Sequence, residues 1–207
     1  MIKDSVIFDL RNVYVVEDMK MAITTIKGEK VNLRRAALKD LEACYYWEYE
    51  EEKQEYAKWN SPFDLREETT KAEFIEEWEG FEIFPGVPGM LVIEVDGEFI
   101  GEVDADWVDK NNNWLEAGII IYKPEYWSGG YGTEAFRLFI DYLFTNTPIH
   151  RLGISTWSGN IRMMKAAEKI GMVKEACIRQ ARMVGGQYYD AIKMGILRSE
   201  WELAKLD

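Results

Sequence analysis

The sequence predicts a mixed α/β domain on one central sheet, and three observations carry that prediction. Helix-like and strand-like segments run in the order helices, hairpin, then strand, helix, strand, helix, strand, strand, which is not a repeating βαβ array. Asp96-Gly97 and Gly185-Gly186 each stand between apolar runs and mark hairpin turns. A glycine cluster, YWSGGYGTEAF at 126–136, joins an apolar strand to a helix. The 207 residues, 47% of them hydrophobic, suit one compact domain with its own core.

The elements follow in order. Residues 1–27 read as an N-terminal extension, strand-rich at 13–16 and 22–26 or partly disordered, ahead of a domain at 28–207. VNLRRA (31–36) reads as a strand. Residues 38–59 read as one helix, or two with a break, stopped by SPF at 61–63. Glu67 to Glu79 forms a second amphipathic helix closed by Gly80. The turn FPGVPG (84–89) precedes a hairpin centred on Asp96-Gly97, and DKNNN (109–113) is another turn. WLEAGIIIY is an apolar strand. The helix after the glycines, at about 130–145, places Tyr131, Ala135, Leu138 and Tyr142 on one face. RLGISTW (151–157) is a strand preceded by a loop with His150. Asn160 opens a helix that Gly171 closes, and the strands 173–184 and 187–197 finish the sheet.

Composition excludes several classes of function. No window approaches the roughly 18 to 20 continuous apolar residues of a membrane span. MIKDSVIFDLRNVYVV is broken by charges and has no apolar signal core, so a cytoplasmic protein is expected. Cys44 and Cys177 read as separate reduced thiols. One histidine and two scattered cysteines do not make a common zinc site, so no metal is expected, and His150 alone makes a histidine-based triad a poor fit. A formal charge of −12 argues against nucleic acid and suits either solubility alone or a cationic partner such as an amine, a polyamine or a basic peptide.

Gly129, Gly130 and Gly132 are poor helix formers at the start of a helix. A dinucleotide fingerprint needs GxGxxG with an acid about 20 residues on, but the spacing here is GGxG and Asp141 falls too early, inside the helix. A Walker loop needs GK[ST], which is absent. Two readings remain open on the motif alone. One is a set of backbone N–H groups aimed at a diphosphate, aided by the helix N-terminus; the other is a plain strand-to-helix turn.

Three segments in order, EAGIIIYKPEYWSGGYGTEA (116–135), HRLGISTWSGNIRMMKAAEKIGM (150–172) and GGQYYDAIKMGILRSEW (185–201), resemble the GNAT superfamily of acetyl-CoA-dependent N-acetyltransferases, in particular its RimJ/RimL-like branch. GEKVNLRRAALKDLEACYYW (28–47) matches the family's opening more loosely, and the resemblance covers roughly 28–204. It implies a twisted, mostly antiparallel sheet, splayed at the acetyl-CoA site and flanked by helices. It implies that the backbone of Trp127, Ser128, Gly129, Gly130, Tyr131, Gly132 and Thr133 holds the coenzyme A diphosphate, with Trp127 in the place of the family's basic or amide residue. It implies that Ile121, Tyr122 and Lys123 pair with the pantetheine arm, that Pro124 removes a donor where the strands splay, and that Asn160 bonds the pantetheine as well as capping its helix.

The reaction so implied is direct attack of a primary amine on the thioester. Glu116, on the strand before the loop, is the candidate base, raised in pKa by burial beside Trp114 or acting through water; its alternative is a structural carboxylate. The leaving-group acid has no obvious owner. The family's tyrosine position is Ala167 and the serine used by some relatives is Met163. Tyr188 and Tyr189 are the remaining hydroxyl candidates, in the last strand. The acidic, aromatic stretch 45–59 is expected to wall the acceptor site or to be a solvated helix with its rings partly in the core. The expected acceptor is a protein N-terminus or a small amine, with a spermidine-type polyamine as the alternative. A different class, a catalytically weak acyl-CoA-binding or regulatory protein on the same fold, stays open because the tyrosine is missing. A homodimer is compatible with the family.

Overall fold

The computed structural model describes residues 25–63 and 68–206. The strand-like stretch 13–16 and most of the N-terminal extension lie outside the described residues.

One eight-stranded sheet organises the chain. In sequence order its strands are β1 (Ile26–Lys27), β2 (Asn32–Arg34), β5 (Met90–Val95), β6 (Glu98–Asp109), β7 (Trp114–Ile121), β8 (Arg151–Trp157), β9 (Val173–Val184) and β10 (Gln187–Leu197). Their spatial order is β1-β2-β5-β6-β7-β8-β10-β9, antiparallel throughout except for the parallel pair β7 and β8. The mixed, mostly antiparallel sheet expected from the sequence is therefore present. FPGVPG is more than a turn: β3 (Glu82–Phe84) and β4 (Val87–Pro88) flank it as a small second sheet.

Alternation along each strand sorts side chains to two faces. On β7, Leu115, Ala117, Ile119 and Ile121 join the main core, with α3 (Tyr131–Asn146) and α4 (Ile161–Lys169) packed over it. Ile120 faces the other way, into a cluster with Cys44, Tyr56, Phe74 and Tyr122 beneath α1 (Leu38–Tyr45) and α2 (Lys71–Trp78). A helix α5 (Arg198–Leu203) ends the described chain.

One helical segment takes the broken form of its expectation, and another starts later than expected. The 38–59 segment is α1, then one wide π turn over Tyr46–Glu50, a break, and a short 3-10 turn over Glu55–Lys58. The break follows Glu50, where Glu51 and Glu52 would stand three and four residues from Glu48, spacings at which like charges destabilise a continuing helix. α2 begins at Lys71, later than expected, because Thr70 and Glu73 form a reciprocal cap: Glu73 N–H donates to Thr70 Oγ1 at 3.3 Å, and Thr70 N–H donates to the Glu73 carboxylate at 2.9 Å. The buried face of α3 is also broader than the stripe read from sequence. Phe136, Phe139, Ile140 and Leu143 fill it, while Tyr131 and Leu138 lie at its margin.

Candidate active site

The two edges of β7 are treated differently. Toward β6, pairing runs from Trp114 to Ile121. Toward β8 it covers only Trp114 with Arg151, Leu115 with Leu152 and Glu116 with Gly153, although both strands continue. Beyond Glu116 they part, and a cavity of about 340 Å³ opens between them. Its walls are the free edge of β7 from Ala117 to Ile121, the loop 126–133, β8 from Ser155 to Trp157, the first turns of α4, and Tyr56 to Ser61.

The loop 126–133 presents backbone rather than side chains. Ser128 (φ 63°) and Gly130 (φ 89°) are both left-handed, and Gly130 is the N-cap of α3. The first intrahelical bond runs from Glu134 N–H to Gly130 O, and no side chain caps the helix. The N–H groups of Tyr131, Gly132 and Thr133 therefore have no intrahelical acceptor, and Gly130, Gly132 and Thr133 line the cavity. A Cβ on Gly132 would stand 3.3 Å from Ile121 Cδ1, so the glycine keeps the cleft open at that level. The macrodipole of a sixteen-residue helix adds partial positive charge at this end.

Cations surround the loop although it contains none. Lys30 Nζ donates to Gly129 O at 2.8 Å. The Arg162 guanidinium lies between two indoles, 4.4 Å from the Trp59 ring centroid and 4.6 Å from that of Trp127. The Trp127 indole N–H donates to Ile121 O at 2.9 Å, tying the loop back to the free edge of β7.

At the end of the cleft where pairing resumes stands Glu116. It is half-buried, with Lys193 Nζ 2.7 Å from Oε1 and Ser155 Oγ donating to Oε2 at 2.5 Å. Gly153 opposite has no side chain, and a Cβ there would be 3.5 Å from Glu116 Cγ. On the same sheet face, β6 carries Glu102, Asp104 and Asp106, opposite Ile120, Gly118 and Glu116. Asp104 Oδ1 lies 2.4 Å from where a Gly118 Cβ would be, so the absent side chain makes room for the carboxylate. Burial, then the nearby charges of Asp106 and Glu48, push the Asp104 carboxyl up to about 7. Burial and Glu48 likewise push Glu102 to about 8; Cys44 Sγ donates to it at 3.0 Å.

Of the residues expected at a coenzyme site, the structure brings Ile121, Trp127, Ser128, Gly130, Gly132, Thr133 and Asn160 to one cavity. The Tyr122 side chain is not in its lining. Strand alternation turns it into the core, where its hydroxyl donates to Glu48 Oε1 at 2.7 Å and its backbone N–H bonds Ile100 O. Lys123 pairs with Glu98, Gly129 packs on the Tyr131 ring, and the Tyr131 ring meets Tyr126 edge-on. Asn160 caps α4 through Met163 N–H, and its amide donates to Trp59 O at 2.9 Å. Tyr188 is exposed on the last strand; Tyr189 packs edge-on against Trp157 and bonds Gln187. In the stretch 45–59, Trp47 and Tyr49 pack against the second core while Tyr56 and Trp59 reach the cavity. Sequence reasoning missed Lys30, Ser155, Arg162 and Lys193, which lie far from the glycines in sequence. Arg162 alone carried a local signal, two residues after the capping asparagine.

Residues 30–173 match the family model of an acetyltransferase (GNAT) domain, most of the chain. The chain belongs to that GNAT family. It is 31% identical over 107 residues to the putative ribosomal N-acetyltransferase YdaF of Bacillus subtilis, covering 52% of this chain and 58% of that protein. It is 31% identical over 111 residues to the spermidine N(1)-acetyltransferase of Escherichia coli K12, covering 54% and 59%. The chain spans less than two thirds of the length of these curated relatives. The GNAT fold is shared with the crystal structure of spermidine N-acetyltransferase from Vibrio cholerae in complex with CoA and spermine, at TM-score 0.68 and 21% identity over 84% of this chain and 99% of that one. Among the described residues no helix is long and apolar enough to cross a membrane, and no group of three or more His, Cys, Asp and Glu could hold a metal ion.

Proposed function

We propose that this chain, through a domain at 28–207, transfers an acetyl group from acetyl-CoA to a primary amine. The observation that carries the reading is the free edge of β7 meeting the uncapped N-terminus of α3 in one cavity. Unpartnered N–H groups, a helix dipole and bare glycines suit a diphosphate, and Lys30 and Arg162 add positive charge nearby. A strand edge that stops pairing at Glu116 suits an extended, amide-bearing arm such as pantetheine. The thioester would then lie toward Glu116, which serves as the ultimate proton acceptor for the attacking amine.

The acceptor we favour is cationic before it reacts. Asp106, exposed on β6 directly opposite Glu116, offers a carboxylate beside it, and curated relatives include proteins named for ribosomal and spermidine acetylation. A polyamine is the second reading, favoured by the curated relative named for spermidine acetylation. The test is thiol release from acetyl-CoA over a panel of N-terminal peptides, polyamines and neutral amines. Turnover confined to the cationic members supports the reading. Equal turnover with neutral amines removes the cationic acceptor, and no turnover with any amine leaves only the acyl-CoA-binding alternative.

A further inference from the structure

The candidate base is set behind the cavity wall, and a hydroxyl stands in front of it. Ser155 is exposed and lines the cleft, whereas Glu116 is half-buried and does not. The Ser155 hydroxyl donates to Glu116 Oε2 at 2.5 Å, and Lys193, opposite Ser155 in the β8–β10 register, holds Oε1 at 2.7 Å. Gly153 leaves the space through which the Glu116 side chain reaches β8. The serine lone pairs not engaged by Glu116 remain available on the cavity side. No other hydroxyl does this job from α4, where Met163 and Ala167 carry none.

We infer that Ser155 is a catalytic proton carrier, taking the proton of the attacking amine while its own passes to Glu116, with Lys193 as a positioning residue that orients that carboxylate. The inference rests on the acetyltransfer reading and adds the group that touches the reacting nitrogen. The acceptor enters the step as the neutral amine, its ammonium proton already lost to solvent; the nitrogen then bonds the thioester carbon and the C–S bond breaks, its electron pair leaving on sulfur. One N–H proton moves to Ser155 Oγ as the Ser155 proton moves to Glu116 Oε2. The thiolate takes a proton from water, and Glu116 returns its proton to solvent, so the net products are the amide and coenzyme A thiol. The serine forms no covalent intermediate.

The experiment is steady-state kinetics of the full chain with an amine the wild type accepts, comparing S155A, S155T, E116Q and S155A/E116Q. Coenzyme A-induced thermal shift serves as the folding control. S155A is expected to lower kcat about 100-fold with the KM for acetyl-CoA held within about twofold. S155T, which keeps a hydroxyl on a strand, is expected to recover most of that loss. The double variant is expected to be no slower than E116Q alone, because the two groups act in series. S155A within about threefold of an active wild type overturns the relay and leaves the acetyltransfer reading standing. Independent, multiplying losses from S155A and E116Q, or failure of S155T to recover activity while it still binds coenzyme A, also overturn it. A wild type inactive with every amine overturns both.

Discussion

The two edges of β7 make the most instructive comparison in this molecule. One edge is closed: β6 pairs with it from Trp114 to Ile121, and Gly101 lies so close that an added Cβ would be 2.1 Å from Ile120 O. The other edge is open: β8 leaves it after Glu116, and a cavity fills the gap. All eight residues thus pair on one side, while on the other only Ala117 to Ile121 are left facing the cavity. Stability and function should separate accordingly, and substitutions on the two edges can break or sharpen that distinction.

The largest effect is expected where the open edge ends. Glu116→Gln should lower kcat by about 100-fold or more, with coenzyme A affinity nearly unchanged, as measured by turnover and calorimetry together. Near-normal turnover would return Glu116 to the structural role. Next is the closed edge. Gly101→Ala should lose about 3 kcal/mol of stability in chemical denaturation, since its methyl meets backbone that has nowhere to move. Gly132→Ala should do the opposite. Stability should hold or rise by up to about 1 kcal/mol, because alanine favours the helix, while coenzyme A binding weakens about tenfold as the methyl enters the cleft. Equal stability losses at both glycines would erase the distinction.

The smallest effect concerns pH. Asp104, with Glu102, Asp106 and Glu48 as its charged neighbours, has its folded carboxyl raised to about 7, against roughly 3.9 when unfolded. The folded state holds that proton more tightly. Its contribution is fully present below the unfolded value and is lost as pH rises through about 7. Wild-type unfolding temperature should therefore fall between pH 5 and 8 more steeply than that of Asp104→Asn. Parallel curves would contradict this placement of Asp104.

Much of the fold was legible because its signals are local. Asp96-Gly97 supplies two left-handed residues at a hairpin turn (φ 50° and 84°), Gly185-Gly186 supplies two more (56° and 78°), and RLGISTW is the strand β8 as expected. The glycine loop was legible for the same reason. What escaped is what depends on pairing. The separation of β7 from β8 leaves no mark in either strand's own sequence, so the cavity was implied only through family resemblance. The Ser155, Glu116 and Lys193 cluster joins three strands, and Lys30 reaches the loop from a residue 99 positions away. Strand alternation also sets Tyr122: one residue beyond Ile121, its side chain turns to the core, and its backbone N–H bonds Ile100 O on β6.

The central claim is that the open edge of β7 and the N-terminus of α3 hold coenzyme A. The most direct measurement is thermal unfolding of the wild type with acetyl-CoA, coenzyme A, NADH and ATP in parallel. At 100 times its Kd a ligand should add about 2.7 kcal/mol of stability. The account predicts a clear shift with the two coenzyme A species and none of comparable size with NADH or ATP. No shift with either coenzyme A species would contradict it and reduce Gly129 to Gly132 to a turn.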